Sequence, residues 1–275
     1  MGSVFLMGGG WDAAVLGRHL GAFLAAAGPD PDVACLVVDE GAGHGQGEAT
    51  RWSAALTAAG PCRPRPVLVP VGGVLDPGAL HGVDALLVCG GLTPAYAAAL
   101  SPVAAELRAW LSTRPYAGFS AGAAVAAQRA LVGGWRHNSR PVCPEDAAED
   151  LDEVSVVDGL GLVPHVVEVH CAQWGTLGRL LVATQGSQDR QGPKGTQVLG
   201  VGLDENTMLT VTAAGTTVSG TGHAWVVRAD GSVIARAEGE LVQHEAAWDQ
   251  AAGDEAAGGE AAGDEATEGG ALGPP

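Results

Sequence analysis

Short apolar runs alternate with Ala- and Leu-rich runs over roughly the first half of the chain. The apolar runs lack the polar alternation of a half-exposed strand, so each predicts a strand that is buried on both faces. Because runs of helical length separate them, the order predicts an α/β fold, a mostly parallel sheet with helices on both faces. The predicted strands are residues 4–7, 33–38, 66–69, 85–88 and 116–118, and the predicted helices are residues 12–27, 49–59, 94–112 and 121–130.

The pattern changes after residue 130. The acidic segment 143–153 predicts a solvated surface connector. Later runs predict two strands, a helix and then several short strands joined by turn residues, which together indicate a mostly antiparallel C-terminal extension. These strands are predicted at residues 154–157, 166–169, 198–203, 208–211, 216–218, 223–227 and 232–235, and the helix at residues 175–184.

Residues 249–275 form a near-repeat of Ala, Gly, Asp and Glu with no Lys or Arg and almost no large apolar side chain. Such a segment cannot bury enough apolar surface to offset the entropy that is lost on ordering. We therefore predict one α/β domain over residues 1–248 and a disordered acidic tail over residues 249–275.

The formal net charge of the chain is −17, and the body stays acidic when the tail is set aside. Duplex nucleic acid and anionic membranes both favour Lys and Arg, so neither is an expected partner. Five cysteines occur without a C-x-x-C pair, which indicates free thiols in a reducing cytoplasm. Residues 1–7 lack a basic stretch and are predicted to be a first strand rather than a signal peptide. No metal is expected, because no His, Cys or acidic spacing matches a known site.

The segment GFSAG from Gly118 follows a predicted strand and precedes a predicted helix. This is the layout of a nucleophile elbow, G-x-S-x-G, in which the glycines allow a sharp turn that exposes the hydroxyl of Ser120. The backbone amide of Ala121 would donate to a developing oxyanion, and the helix N-terminus favours negative charge there. The alternative is a Ser-Ala-Gly turn that only caps a helix.

A nucleophilic serine needs a base and a third group that orients the base. Of the eight histidines, His170 is the best candidate, because it follows an apolar strand and would lie at a sheet edge. Asp204 and Glu205 come at the tip of the next buried strand, where α/β active sites assemble. Glu168 is a rival acid, but it would lie on the same strand as His170.

Two other functions stay open on the residues alone. The segment GGGWDA from Gly8 matches G-x-G-x-x-A between a strand and a helix, and the second strand ends at Asp39, which fits a nucleotide-binding Rossmann-like protein. The same glycines also suit ordinary packing at a turn. An α/β-hydrolase esterase orders its residues as Ser, acid and His, which Ser120, Asp158 and His223 would satisfy.

Five segments occur in an order that is typical of one family. They are GFSAGA from Gly118, GLGL from Gly159, EVHC from Glu168, GRL from Gly178 and GLDENT from Gly202. FLMGGG and LLVCGGL, nearer the N-terminus, agree with the same order. Over about residues 3–230 the chain resembles the dipeptidase E and cyanophycinase family of serine peptidases, as a divergent member.

The resemblance implies a fold like that of class I glutamine amidotransferases, which is flavodoxin-like, with an antiparallel C-terminal extension. It also implies that Ser120 is the nucleophile, His170 the general base and Glu205 the group that orients it. The backbone amides of Gly91 and Ala121 would form the oxyanion hole. The domain would then be a serine hydrolase that cleaves a dipeptide or another small peptide-like substrate through an acyl-enzyme, with no cofactor and with a homodimer as one permitted assembly.

The chain departs from the family's pattern around the substrate. Leu92 and Thr93 follow the Gly-Gly pair where the family usually has Asn, and Trp174 stands near His170 where cyanophycinases have Arg. These changes predict a more apolar substrate pocket rimmed by Trp174, with Arg136 as a candidate contact for an anionic group. They also leave open a degenerate family member that binds a peptide without hydrolysing it.

Overall fold

The computed structural model describes residues 2–185 and 198–243, so the predicted tail over residues 249–275 lies outside the described residues. The helices are α1 Ala13–Ala27, α2 His44–Ala59, α3 Thr93–Leu100, α4 Ala104–Leu111, α5 Ala121–Val125, α6 Cys171–Trp174 and α7 Leu177–Gln185. The strands are β1 Val4–Met7, β2 Asp32–Asp39, β3 Arg63–Pro70, β4 Ala85–Val88, β5 Tyr116–Phe119, β6 Arg129–Gly133, β7 Arg136–His137, β8 Arg140–Pro141, β9 Ser155–Asp158, β10 Val166–Glu168, β11 Val198–Leu203, β12 Thr207–Thr212, β13 Gly215–Gly220, β14 Ala224–Arg228, β15 Val233–Arg236 and β16 Leu241–Gln243.

A sheet of eight strands lies at the centre of the described part, in the order β16-β13-β12-β1-β5-β4-β2-β3. The strands β1 to β5 run parallel to one another, as their unbroken apolar sequences predict. Beyond β1, the strands β12, β13 and β16 continue the same sheet in antiparallel fashion. The fold is therefore a mixed α/β fold with a large, mostly parallel sheet.

Helices cover both faces of the parallel strands. Alternate side chains of a strand point to opposite sides of the sheet, so an unbroken apolar strand has apolar side chains to bury on each side. On one face, Phe5 and Leu87 belong to a buried core that also includes Trp52 of α2. On the other face, the hydroxyl of Tyr116 donates a hydrogen bond to the Gly122 carbonyl of α5, at 2.7 Å. The prediction of a two-sided sheet is thus confirmed.

A second sheet of the described part, in the order β10-β11-β14-β15, carries the other strand tips that matter for the site. The strand β10 runs parallel to β11, with Glu168 opposite Gly202. Because parallel strands end at the same edge, the residues that follow them emerge side by side. His170 and Glu205 are therefore brought to one edge by the pairing of two strands.

The helix predicted over residues 121–130 is too long. The helix α5 ends at Val125, and the chain from Arg129 forms β6, which pairs with β9. The amide of Leu160 donates to the Val125 carbonyl at 2.8 Å. The returning chain thus takes an acceptor that a longer helix would have used.

The helix predicted over residues 94–112 is two helices. The helix α3 ends at Leu100 and α4 begins at Ala104, with a 3-10 turn over Ser101–Val103 between them. The turn contains Pro102, which has no backbone N–H to donate to a continuing helix.

All five cysteines are free. Cys35 lies in β2, and Cys89 comes just after β4, which is paired with β2. Both are fully buried, and their Sγ atoms are 3.5 Å apart. Among the helices of the described ranges, none is both long and apolar enough to span a bilayer.

Candidate active site

Ser120 lies in a sharp turn between β5 and α5. Its backbone has φ 51° and ψ −111°, a strained conformation for a residue with a side chain. A Cβ at Gly118 would lie 2.4 Å from the Gly122 carbonyl oxygen, and a Cβ at Gly122 would lie 2.1 Å from the Val88 carbonyl oxygen. Only glycine fits at these two positions, so the G-x-S-x-G spacing reflects two close approaches of the backbone.

The hydroxyl of Ser120 contacts the imidazole of His170, with 2.8 Å between Oγ and Nε2. The second ring nitrogen, Nδ1, is 2.8 Å from Oε1 of Glu205. A carboxylate in this position holds the ring proton on Nδ1 and leaves the Nε2 lone pair facing the hydroxyl. The structure thus brings together the three side chains that the sequence singled out. By contrast, His223, the histidine of the esterase alternative, lies beside Asp204, with 3.6 Å between its Nδ1 atom and the Asp204 carboxylate.

The backbone at the C-terminal end of β1 holds the three segments in place. Its three successive carbonyls, beginning at Met7, accept hydrogen bonds from the amide of Ser120 at 2.9 Å, from the amide of His170 at 2.9 Å and from the amide of the residue after Glu205 at 2.7 Å. Each segment that carries a site residue is therefore anchored to the same short stretch of chain.

The imidazole of His170 is confined on both faces. On one face, a Cβ at Gly9 would lie only 2.1 Å from the His170 Cε1 atom. On the other face, the Trp174 ring stacks on the imidazole with 3.9 Å between centroids and 6° between planes. This confinement keeps the ring in the one plane that allows both 2.8 Å contacts.

Gly9→Ala is expected to lower kcat/KM by about 100-fold, because the new methyl group displaces the imidazole and small misplacements of catalytic groups are costly. Gly9 also has φ 105°, which strains any other residue. Gly17→Ala is the matched control, since a Cβ there meets nothing within 4 Å. Hydrolysis rates of the two variants with one substrate check the prediction, and an unimpaired Gly9→Ala protein would contradict it.

The two acids at the tip of β11, Asp204 and Glu205, make different contacts with the short helix α6. The carboxylate of Asp204 accepts a hydrogen bond from the amide of Ala172 at 2.9 Å and is otherwise held by β14. The side chain of Gln173 accepts from the amide of Glu205 at 2.8 Å, which fixes the backbone of that residue. Asp204 therefore supports the loop, and Glu205 faces the imidazole.

Glu205→Gln is expected to shift the acid limb of the pH–rate profile to lower pH. Burial lowers the pKa of His170 from its usual 6.5, and the hydrogen bond and charge of Glu205 oppose that change. The base works only when neutral, so activity falls as the pH drops through this lowered pKa. Removing the carboxylate charge lowers the pKa further and reduces kcat by at least about tenfold. Profiles of kcat/KM from pH 4 to 8 measure the shift, and a shift to higher pH would contradict it.

The two residues predicted to supply the oxyanion hole both lie near Ser120. Ala121 is the first residue of α5 and follows Ser120 directly. Gly91, in the loop after β4, lines the same cavity as Ser120 and has φ 149°, a conformation that suits glycine. Within the described ranges neither amide N–H has an acceptor, so both are available to a substrate oxygen.

A cavity of about 720 Å³ opens beside Ser120. Leu92 and Trp174, two of the predicted substrate contacts, lie in its wall, and Trp174 is 38% exposed. The wall also includes the segment 145–152, so the expectation that residues 143–153 form only a solvated connector is wrong. The acidic residues of the wall are Glu40, Glu145, Asp146, Glu149, Asp150 and Asp152.

The other two predicted substrate contacts lie elsewhere. Thr93 is buried, and its amide and hydroxyl donate to the Glu149 carboxylate at 2.9 and 3.1 Å. The guanidinium of Arg136 stacks over the Trp135 ring at 3.8 Å and lies 3.9 Å from Asp152. Neither Thr93 nor Arg136 is among the described residues that line the cavity. Thr93 therefore shapes the wall through Glu149, whose pKa burial raises although both Thr93 hydrogen bonds oppose the change.

A buried ion pair lies beneath the site. The guanidinium of Arg179 donates to the Glu168 carboxylate at 2.7 and 2.9 Å, and both residues are buried, at 3% and 2% exposed. The same guanidinium donates to the carbonyls of Gly134 and Ala147, and Ala147 belongs to the cavity wall. Glu168, the rival acid in the sequence, thus joins the strand before His170 to the cavity wall.

The glycine-rich turn after β1 is occupied by protein groups. A Cβ at Gly10 would lie 2.6 Å from the Asn206 side chain, and Gly9 lies against His170. The carboxylate of Asp12 accepts hydrogen bonds from two amides of the first turn of α1, at 3.0 Å each. That carboxylate takes the place where a dinucleotide would put its pyrophosphate.

Comparison with models of known protein families found no match, and comparison with curated protein sequences found no match either. Within residues 2–185 and 198–243, no group of three or more His, Cys, Asp or Glu side chains is arranged to hold a metal ion.

Proposed function

We propose that the chain is a serine-type peptidase or amide hydrolase with a class I glutamine amidotransferase-like fold, as its resemblance to the dipeptidase E and cyanophycinase family implies. The observation that carries this proposal is the pair of 2.8 Å contacts from Ser120 to His170 and from His170 to Glu205. A strained serine, a buried base and an orienting carboxylate together activate a hydroxyl for acyl transfer.

In the proposed reaction, the Ser120 oxygen attacks a carbonyl carbon while His170 Nε2 takes the hydroxyl proton. The amides of Gly91 and Ala121 donate to the oxyanion that forms. The carbon–nitrogen bond then breaks as His170 returns the proton to the leaving amine. Water, deprotonated by the same nitrogen, attacks the acyl-enzyme and releases the acid and free Ser120. Glu205 stabilises the imidazolium in both halves.

The large cavity favours a substrate that carries a cationic group near the scissile bond. Six acidic residues belong to its lining, one of which, Glu149, already accepts hydrogen bonds from Thr93, and none of the described residues that line it is Lys or Arg. A cleft lined by charges of one sign concentrates ligands of the opposite sign. The proposed substrate is therefore a small peptide with a free ammonium group or a basic first side chain. We accordingly propose these acidic residues, rather than Arg136, as the charged contacts of the substrate.

A panel of dipeptides with Lys, Ala or Asp in the first position tests the proposal. We expect hydrolysis by the unmodified protein, with kcat/KM for the Lys peptide at least about tenfold above that for the Asp peptide. A degenerate member that only binds would show binding of the peptides in calorimetry and would release no amino acid. That result would replace hydrolysis by peptide binding as the function.

A further inference from the structure

A second cavity of about 220 Å³ also has the nucleophile in its wall. Ser120 and Gly91 line both cavities, so the two adjoin at the nucleophile and at one of the predicted oxyanion donors. One difference between the two walls matters for the chemistry. His170 lines the small cavity and not the large one, whereas Trp174 lines the large cavity and not the small one.

The position of His170 decides which half of a substrate enters which cavity. In amide hydrolysis the leaving nitrogen must receive a proton from the imidazole as the carbon–nitrogen bond breaks. The leaving group therefore lies on the side of Ser120 that His170 faces. This rule assigns the leaving half to the small cavity and the acyl half to the large one.

The small cavity has the chemistry of a site for an apolar amino acid with a free carboxylate. Three aromatic rings meet in its wall, with Trp11 and Trp52 4.7 Å apart and Phe119 4.8 Å from Trp52 between centroids. The guanidinium of Arg51 lies 3.3 Å over the Trp11 ring and is half-exposed. Its ion pair with Glu48 is long, at 3.6 Å, so the guanidinium keeps donors for another anion.

We propose that this small cavity is the leaving-group subsite, and that Arg51 recognises the C-terminal carboxylate of a dipeptide whose second side chain packs on the aromatic rings. The proposal rests on the proposed function. The charges of the two cavities differ in the direction that a zwitterionic dipeptide requires: the small cavity has Arg51 beside a single acidic residue, Glu48, whereas the described residues that line the large one include six acids and no Lys or Arg. Its ammonium end fits the cavity lined by carboxylates, and its carboxylate end fits the side with Arg51.

The assignment makes the site selective for free dipeptides. The peptide bond of a dipeptide lies between the two charged ends, so binding at both ends puts its carbonyl carbon at Ser120. A C-terminal amide keeps the same scissile bond and the same side chains, but its leaving half lacks the negative charge. The attacked bond and the path of the proton are unchanged, and only recognition of the leaving half differs.

Lysyl-phenylalanine and its C-terminal amide test the proposal on the full chain. The unmodified protein is expected to show a KM about tenfold lower for the acid than for the amide, the typical scale of one charge-assisted hydrogen bond. Arg51→Gln should reduce this preference to less than about threefold, and Arg51→Lys should restore part of it. The control is Arg18→Gln, an equal loss of charge at an exposed position on α1, which should keep the full preference.

The outcomes separate the subsite from the proposed function. Ser120-dependent cleavage of both peptides with equal KM would overturn the subsite and leave the hydrolase intact. A tenfold preference that survives in Arg51→Gln would also overturn the role of Arg51. Absence of Ser120-dependent cleavage of either peptide would overturn both proposals.

Discussion

Ser120→Ala is expected to lower kcat/KM by a factor of about 10³ or more, because the hydroxyl that forms the acyl-enzyme is gone. The structure makes the result specific. Ser120 is 8% exposed, and its backbone conformation is set by the two glycines around it, so removal of one oxygen changes the chemistry and little else. The measurement is the rate of dipeptide hydrolysis at saturating and at low substrate.

The combination of substitutions adds a test of the mechanism. His170→Ala should lower kcat/KM by a similar factor, and the double variant should be no worse than either single one, because the two side chains act as a unit. Ser112→Ala, at the exposed end of α4, is the control and should be fully active. Additive losses, or full activity in Ser120→Ala, would contradict the assignment.

Glu168→Ala is expected to lower the free energy of unfolding by about 3–5 kcal/mol, the usual effect of leaving a buried charge without its partner. Arg179 is 3% exposed, and water cannot replace the carboxylate at such a position. Its remaining hydrogen bonds go to the neutral carbonyls of Gly134 and Ala147. Urea denaturation followed by circular dichroism at pH 7 measures the change.

Two further variants show whether burial of the charge is the cause. Asp152→Ala removes the surface partner of Arg136, in an ion pair 3.9 Å long, and should change the free energy of unfolding by less than about 1 kcal/mol. Glu168→Leu combined with Arg179→Met removes both buried charges and should recover much of the lost stability. Equal effects of Glu168→Ala and Asp152→Ala would contradict the account.

The sequence was most informative where one requirement dominates. Strands buried on both faces need unbroken apolar runs, so the parallel strands were found close to their observed positions. The elbow was recognised because its two glycines are dictated by close backbone contacts. His170 and Glu205 were found as residues at the tips of strands, and the pairing of β10 with β11 then brings them together.

The features that the sequence missed depend on segments far apart in the chain. The carbonyls of Met7, Gly8 and Gly9 hold three distant segments, and nothing in GGG distinguishes this role from a nucleotide-binding turn. The acidic segment 145–152 looks solvated in sequence, yet it forms a wall of the large cavity. Likewise, the end of α5 at Val125 is set by hydrogen bonds from residues more than thirty positions later.

Reaction with a fluorophosphonate ester tests the central claim most directly, since this reagent requires an activated hydroxyl and no knowledge of the natural substrate. We expect one covalent adduct per chain, located at Ser120 by peptide mass spectrometry, and a large loss of labelling in His170→Ala. A chain that stays unlabelled, or one that is labelled at another residue and equally well without His170, would contradict the assignment of the triad.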